Sequence, residues 1–515
     1  RDLRVVSLRI NPVRVNPVTR ELHVTERVRV RLNYGPGPGA NPRTVTRSFR
    51  SAAFEPLYRN LIDNYELLPR AEVKRGSYLI ITADGYAASL APLVSWKRSR
   101  GVETELVLLS TIGASPTNQD IKDYIQNAYE TWPNPPDYVL LVGDSTTSTA
   151  ATIPCWYVPA VPFSHVTDHP YTELDGTDYF PEVIIGRMSV DAASEAAVAS
   201  LKVLSYERDC DAATDDWYGK ALMVAGNYSG STPPPTSPRQ TVLRVREMLY
   251  DRGYAQVDTV FYPPYIAPNP IGSIIDSGVG IVNYRGWGAA QGWHYPEYYV
   301  DDINALSNGQ MLPLMLSCVC GVGNWESWGY DPCFVEAWIR AGTPADLKGG
   351  PVAYGPSDFN THTRWNNAVG SGIFQGLLYE GLEHFGQAAL RSKFEVWKWF
   401  VDEREGGDWV DYYYNVYNVV GDPELWVRLE APEDFVVTHE TSVPFGQNHL
   451  LVRATDSSGE VVPGAEVILY KENEFIESRV LTGDDHVLVP LPAETAGTTN
   501  GTAVALRGAR RSKAC

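Results

Sequence analysis

The sequence predicts an α/β protein: a parallel sheet with helical crossovers at its centre, and all-β segments at both ends. Three observations carry this. From Ser77 to about residue 208, short apolar runs of strand length alternate with amphipathic helical stretches. The same grammar restarts at Ala221 and continues to Pro423. Outside these limits, apolar and polar residues alternate with period two, divided by Gly- and Pro-rich turns.

Residues 1–72 read as a β-rich segment. Leu3-Arg4-Val5-Val6, Leu22-His23-Val24 and Val28–Leu32 are strand-like, and Gly35-Pro36-Gly37-Pro38-Gly39 is a turn cluster. Residues 73–215 hold the strands Tyr78–Ile81, Thr104–Leu109, Tyr138–Val142 and Val183–Ile185, with helices over 86–99, 118–130 and 192–208. A Pro- and Asp-rich loop over 153–180 interrupts them. Residues 216–430 supply the strands Ala221–Ala225, Gly280–Tyr284, Pro313–Ser317 and Pro351–Tyr354, with helices over 238–251, 333–341 and 370–381. Near-continuous apolar strands between helices imply parallel sheets covered on both faces, joined by right-handed crossovers. The two α/β units are read as two subdomains, each with a parallel sheet. Residues 431–515 return to short alternating strands in the style of a β-sandwich.

Composition narrows the function. A chain of 515 residues has room for about three domains. With 20% charged and 44% hydrophobic residues and a mean hydropathy of -0.22, it is globular in character. A formal charge of -19 argues against a nucleic-acid partner, which would demand a basic face. No run approaches the roughly 20 apolar residues of a transmembrane segment. The six cysteines are too few for a disulfide framework in a chain this long. The wealth of Tyr and Trp reads as an exported protein. The opening Arg1-Asp2-Leu3 falls mid-strand, which points to a natural N-terminus further upstream.

In an open parallel sheet, ligands bind beyond the carboxyl ends of the strands. After Gly280–Tyr284 comes Arg285-Gly286-Trp287-Gly288, and then Trp293-His294. After Pro313–Ser317 comes Cys318-Val319-Cys320-Gly321-Val322-Gly323-Asn324-Trp325. A Gly-rich loop with a histidine beside a loop with a cysteine is the minimum for thiolate catalysis.

These residues also carry a family resemblance. Cys320-Gly-Val-Gly-Asn-Trp325 resembles the gingipain nucleophile motif. Pro332-Cys333-Phe334-Val335-Glu336-Ala337 and Lys348–Gly355 are similar to gingipain stretches downstream of the nucleophile. Asp178–Arg187 resembles the segment bearing the family's catalytic acid, and Tyr417–Pro423 the end of its catalytic domain. The resemblance implies a caspase-like catalytic domain flanked by a pro-domain remnant (1–72) and an Ig-like β-sandwich (431–515). It implies a secreted or cell-surface cysteine endopeptidase acting on polypeptide substrates, with its own pro-domain as inhibitor. Cys320 is then the nucleophile and Glu182 the group that orients the base. Gly288 and Cys320 amides form the oxyanion hole, and Gly321 lies in the pocket. No cofactor is needed for the chemistry. Glu173, Asp175 and Asp178 become oxygen ligands for a structural calcium ion, or else a solvated acidic loop.

One position departs from the family. Its catalytic His stands between two glycines, where this chain has Trp287, and an indole accepts no proton. Trp293 matches a family Trp, and His294 follows it as the candidate replacement base. His362 is the second candidate. Plainer readings stand beside these. Cys318 and Cys333 can be core residues, and Glu182 a structural carboxylate. His294 can be a loop residue stacked on its neighbours. His294, Cys318, Cys320 and Cys333 could form a zinc set, although the spacing fits no common signature. The competing function is a degenerate peptidase fold that binds peptides or surface partners without cleaving them.

Overall fold

A computed structural model describes residues 1–33, 35, 41–146, 152–159, 164–210, 214–226, 238–264, 267–327, 329–432, 435–440, 446–471, 474–482, 486–491 and 504–507. Its centre is one ten-stranded sheet. In chain order the strands are Ser77–Thr82 (β1), Thr104–Leu108 (β2), Pro136–Val142 (β3), Ile184–Met188 (β4) and Lys220–Gly226 (β5). The second five are Gln256–Tyr262 (β6), Ile281–Arg285 (β7), Leu314–Ser317 (β8), Val352–Pro356 (β9) and Tyr417–Gly421 (β10). Their order across the sheet is β6-β5-β7-β8-β9-β10-β4-β3-β1-β2. Neighbours from β6 to β9 run parallel, as do those from β4 to β2. β10 lies antiparallel to β9 and meets β4 through the pair Val420 and Arg187. The expected two sheets are thus one. The short polar-edged run Tyr417–Gly421, which carries no strand signal in the sequence, closes the gap between them.

The helices follow from side-chain spacing. Ala87–Ser99 (α1), Asn118–Thr131 (α2) and Ala193–Glu207 (α3) serve the first half of the sheet. Pro238–Asp251 (α4), Phe334–Arg340 (α5), Thr363–Tyr379 (α6) and Phe385–Trp399 (α7) serve the second. In α2, Thr117 and Asp120 cap each other's backbone, and Ile121, Ile125, Ala128 and Tyr129 form the buried stripe. Each isoleucine there contributes about 1.5–3 kcal/mol by leaving water. α6 begins at Thr363, seven residues before the expected start. Gly372 is a packing residue within it: a Cβ there would stand 2.7 Å from Ser392 Cα of α7. β6 also escapes sequence reading, because it lacks a continuous apolar run.

The loops after β3, β8 and β9 gather on one rim. Ser145 donates to Glu326, His165 pairs with Asp358 at 2.9 Å, and Ser357 Oγ donates to Val166 O at 2.6 Å. The opposite rim carries a buried charge cluster. Lys97 Nζ lies 3.0 Å from Glu207, 2.7 Å from Asp422 and 2.6 Å from Glu424. Arg100 bridges Glu207 and Glu424 at 3.0 and 3.1 Å.

At the N-terminal end, Val13–Asn16 pairs with Glu21–Val24, and Phe49–Ser51 with Glu72–Lys74. At the C-terminal end, two three-stranded antiparallel sheets enclose a separate core that includes Val452, Val467 and Val489. No helix among the described residues is long and apolar enough to cross a membrane.

Lys97→Met should expose what the cluster costs. It leaves Glu207, Asp422 and Glu424 buried with Arg100 as the remaining strong cation. The expected loss is about 3–5 kcal/mol in urea unfolding, because an uncompensated buried charge is far costlier than a missing pair.

Candidate functional site

The Cys320 loop follows β8 on the rim where the loops gather. Cys318 is fully buried, while Cys320 is half-buried. Gly321 makes the turn. Its φ of +63° favours glycine, and a Cβ there would stand 2.7 Å from the Phe359 ring. Its N–H donates to Asp358 O at 2.9 Å, tying the loop to the end of β9. The Cys320 thiol donates to Thr361 O at 3.4 Å and accepts from Thr361 Oγ1 at 3.3 Å. Burial pushes this thiol above its ordinary value. The Thr361 hydrogen bond and the Arg285 charge act the other way, while Asp358 adds to the rise.

The neighbouring loop after β7 folds as a three-stranded antiparallel meander, Gly288–Ala289, Gly292–His294 and Glu297–Tyr299. Trp293 drives it. Its indole stacks on Tyr284 at 4.3 Å and donates to Ser317 Oγ at 2.8 Å, in the core. Strand alternation turns His294 to the other face. The His294 N–H donates to Trp287 O at 2.9 Å. Gly288 therefore opposes Trp293 in the non-hydrogen-bonded position, with its own N–H aimed out of the hairpin. A Cβ on Gly288 would press on Val319 at 3.1 Å, so this glycine lies against the residue preceding Cys320. The Cys320 N–H has no acceptor among the described residues. Two unspent amides thus lie in the two adjoining loops, one on Cys320 itself and one on Gly288.

His294 lies in the same meander, with its Nε2 buried and without a hydrogen-bond partner. Its ring sits 6.5 Å from that of Tyr295 and 6.2 Å from that of Tyr299. Burial lowers its basicity, and Glu297 opposes this. It makes no hydrogen bond to Cys320. Trp287 is half exposed beside it. His362 caps α6, one residue after Thr361. Its ring packs at 5.1 Å on Trp409 and 5.9 Å on Trp365.

Three expected groups do not assemble. Glu182 lies at the entrance of β4, on the rim opposite Cys320. Its carboxylate accepts from Leu174 N at 2.8 Å and Asp175 N at 3.1 Å, and its carbonyl accepts from Arg1, which also pairs with Asp137. Burial pushes this carboxyl up to about 7. The length of β4 separates it from the site, so it orients no base there. The calcium ligands disperse likewise. Asp175 holds Thr44 and Val45, Asp178 holds Asn41 and Phe180, and Glu173 lies 3.6 Å from His169. No close ligand set among the described residues contains them. Nor do His294, Cys318, Cys320 and Cys333 converge as a zinc set. Cys333 is buried at the start of α5, where its N–H donates to Glu336 at 2.8 Å.

Sequence reasoning missed Arg285, Asp358, Thr361 and His165. The first three follow strand ends, so the strand-end rule could have found them. His165 sits in the interrupting loop and had no such signal.

The chain matches peptidase family C25 over residues 72–428. It is 27% identical to gingipain R2 of Porphyromonas gingivalis over 456 residues, covering 86% of this chain and 59% of that protein. It is 24% identical to Lys-gingipain of the same organism over 482 residues, covering 89% of this chain and 27% of the relative. The chain thus spans less than two thirds of the length of these curated relatives. Its fold is similar to the crystal structure of the Arg-specific cysteine proteinase gingipain R. There the TM-score is 0.72 at 23% identity, covering 82% of this chain and 93% of the other. A complex of gingipain pro- and mature domains matches with a TM-score of 0.72 at 22% identity, over 84% of this chain and all of the other.

Exposure ranks the thiols. Brief iodoacetamide labelling and peptide mass spectrometry should find Cys320 modified well before Cys318, Cys333 or Cys155, all of which are buried. Earlier labelling of Cys318 would mean that the wrong cysteine has been taken as the site thiol.

Proposed function

The chain belongs to peptidase family C25, and from that premise we propose that it is a cysteine endopeptidase with Cys320 as nucleophile. One observation carries the reading. A half-buried thiol stands at a strand exit, with unspent N–H groups on Cys320 itself and on Gly288 of the adjoining loop. In the proposed reaction the Cys320 thiolate attacks the scissile carbonyl and forms a C–S bond. The two amides receive the oxyanion. Collapse expels the amine, and water then hydrolyses the acyl-enzyme. His294 takes the thiol proton and returns it to the leaving amine. Its unpartnered Nε2 and its place in the meander that carries Gly288 support this role.

The same proposal includes a secreted or cell-surface setting and polypeptide substrates. It also includes restraint by a pro-domain of the chain's own, of which residues 1–72 are the remnant. The complex of pro- and mature domains among its structural relatives supports that partner. Trp287 supports the rival reading of a peptide binder without turnover, since it fills the place expected for the base.

Turnover of a peptide library by the purified protein decides between them. Cys320→Ala should abolish cleavage. His294→Ala should lower kcat/KM by about 10²–10⁴-fold, the usual worth of a positioned acid–base group, and His362→Ala by less. Full activity in His294→Ala removes that residue from the mechanism. An inert wild type that gains cleavage on Trp287→His establishes the binder instead.

A further inference from the structure

The loop that carries Cys320 is held by a cation that is not an imidazolium. Arg285 ends β7, opposite the start of the Cys320 loop, and its side chain is 1% exposed. Its guanidinium passes beneath that loop. Nη1 donates to Cys318 O, while Nη2 donates to Asn367 Oδ1 at 2.6 Å and Thr363 O at 3.3 Å. All three acceptors are uncharged. Nε is buried without a partner.

Most buried arginines here are answered by carboxylates. Arg187 has Asp168 at 2.6 Å, Arg340 has Glu336 at 2.7 Å, and Arg391 has Glu395 at 2.7 Å. No such pair among the described residues includes Arg285. A buried guanidinium is rarely left without a counter-charge, because desolvating an ion is expensive. An arginine also stays charged at any pH a protein survives.

We propose that Arg285 is the positioning cation that stabilises the Cys320 thiolate, supplying from below the loop the positive charge that a Cys–His pair draws from imidazolium. The idea rests on Cys320 being the reactive thiol. Apart from His294 and His362, whose rings make no hydrogen bond to the thiol among the described residues, the charged and titratable groups around that loop supply no other free cation. Asp358, after β9, is negative and committed to His165 at 2.9 Å. Tyr284 and Tyr412 are both held protonated by burial. Cys318 is fully buried and pushed up to about 12. Cys320 is the acid beside the guanidinium that solvent and substrate can reach. Thr361 completes the setting: its Oγ1 lies 3.2 Å from Val319 O and 3.3 Å from the sulfur, and its single proton can turn to the sulfur once the thiol proton has left. Arg285 itself transfers no proton. The thiol proton leaves to His294 or to water.

The test is the rate of iodoacetamide alkylation of Cys320 against pH, read by mass spectrometry. It needs no turnover: the thiolate sulfur bonds to the methylene carbon as iodide leaves. Arg285→Met should move the alkylation midpoint upward and slow labelling at neutral pH by about tenfold or more, one pH unit being a factor of ten in thiolate. Arg285→Lys should recover most of the rate, because it keeps the charge. Asn367→Asp guards against a folding artefact. It leaves Arg285 in place but puts a carboxylate on its Nη2, and should shift the midpoint in the same direction. A midpoint unchanged in both Arg285→Met and Asn367→Asp, with thermal melting showing both folded, overturns the inference and leaves Cys320 as the nucleophile. A Cys320 that resists alkylation at every pH in the wild type overturns the nucleophile reading itself.

Discussion

The fold turns on a buried cluster of charge at the seam of the sheet. Asp422 and Glu424 follow β10 directly, Lys97 and Arg100 come from the end of α1, and Glu207 from the end of α3. Burial pushes Glu424 up, but Arg100 and Lys97 outweigh it and hold the carboxyl well below its usual range. Such a cluster is not a strong source of net stability, since each ion must first be stripped of water. Its force is selective. An arrangement that separates these five residues leaves buried charges uncompensated. β10 is thereby held in one place, and through it the two halves of the sheet.

That constraint decides the geometry of the opposite rim. With β10 seated between β9 and β4, the loops after β3, β8 and β9 meet and hydrogen-bond to one another. Gly321 reaches Asp358, and Cys320 reaches Thr361. The loop after β7 lies alongside because Trp293 is anchored on Tyr284 and Ser317. The site is therefore a property of strand order. The cysteine, the two unspent amides and the buried arginine come from neighbouring strands β7 and β8, and the threonine from β9.

The chemistry at this rim differs from that of a simple Cys–His pair. The thiol is hydrogen-bonded to Thr361, and the His294 Nε2 has no hydrogen-bond partner. In the proposed arrangement, positive charge comes from Arg285, buried below. An arginine in that place can favour a thiolate but cannot shuttle a proton. In that proposal, holding the thiolate and moving the proton are tasks of separate residues.

Whatever depends on local pattern was legible in the chain before folding. Continuous apolar runs such as Tyr78–Ile81 mark strands buried on both faces, and the stripe from Ile121 to Tyr129 marks α2, because side-chain period follows backbone geometry. Local pattern also places Cys320 in a loop beyond a buried strand, next to a glycine-rich loop. What faces what was settled by folding. Glu182 lies on the rim opposite Cys320, yet sequence position cannot reveal which rim an isolated carboxylate occupies. Glu173, Asp175 and Asp178 look like a cation cage until Thr44 and Asn41, over 130 residues away, take up oxygens of Asp175 and Asp178. Arg285 looks like an ordinary charged residue after a strand until the sheet closes over it and leaves it without a carboxylate. Partnership between charges is settled by distances that only the closed sheet creates, and for that reason the thiol was legible in the sequence while the groups around it were not.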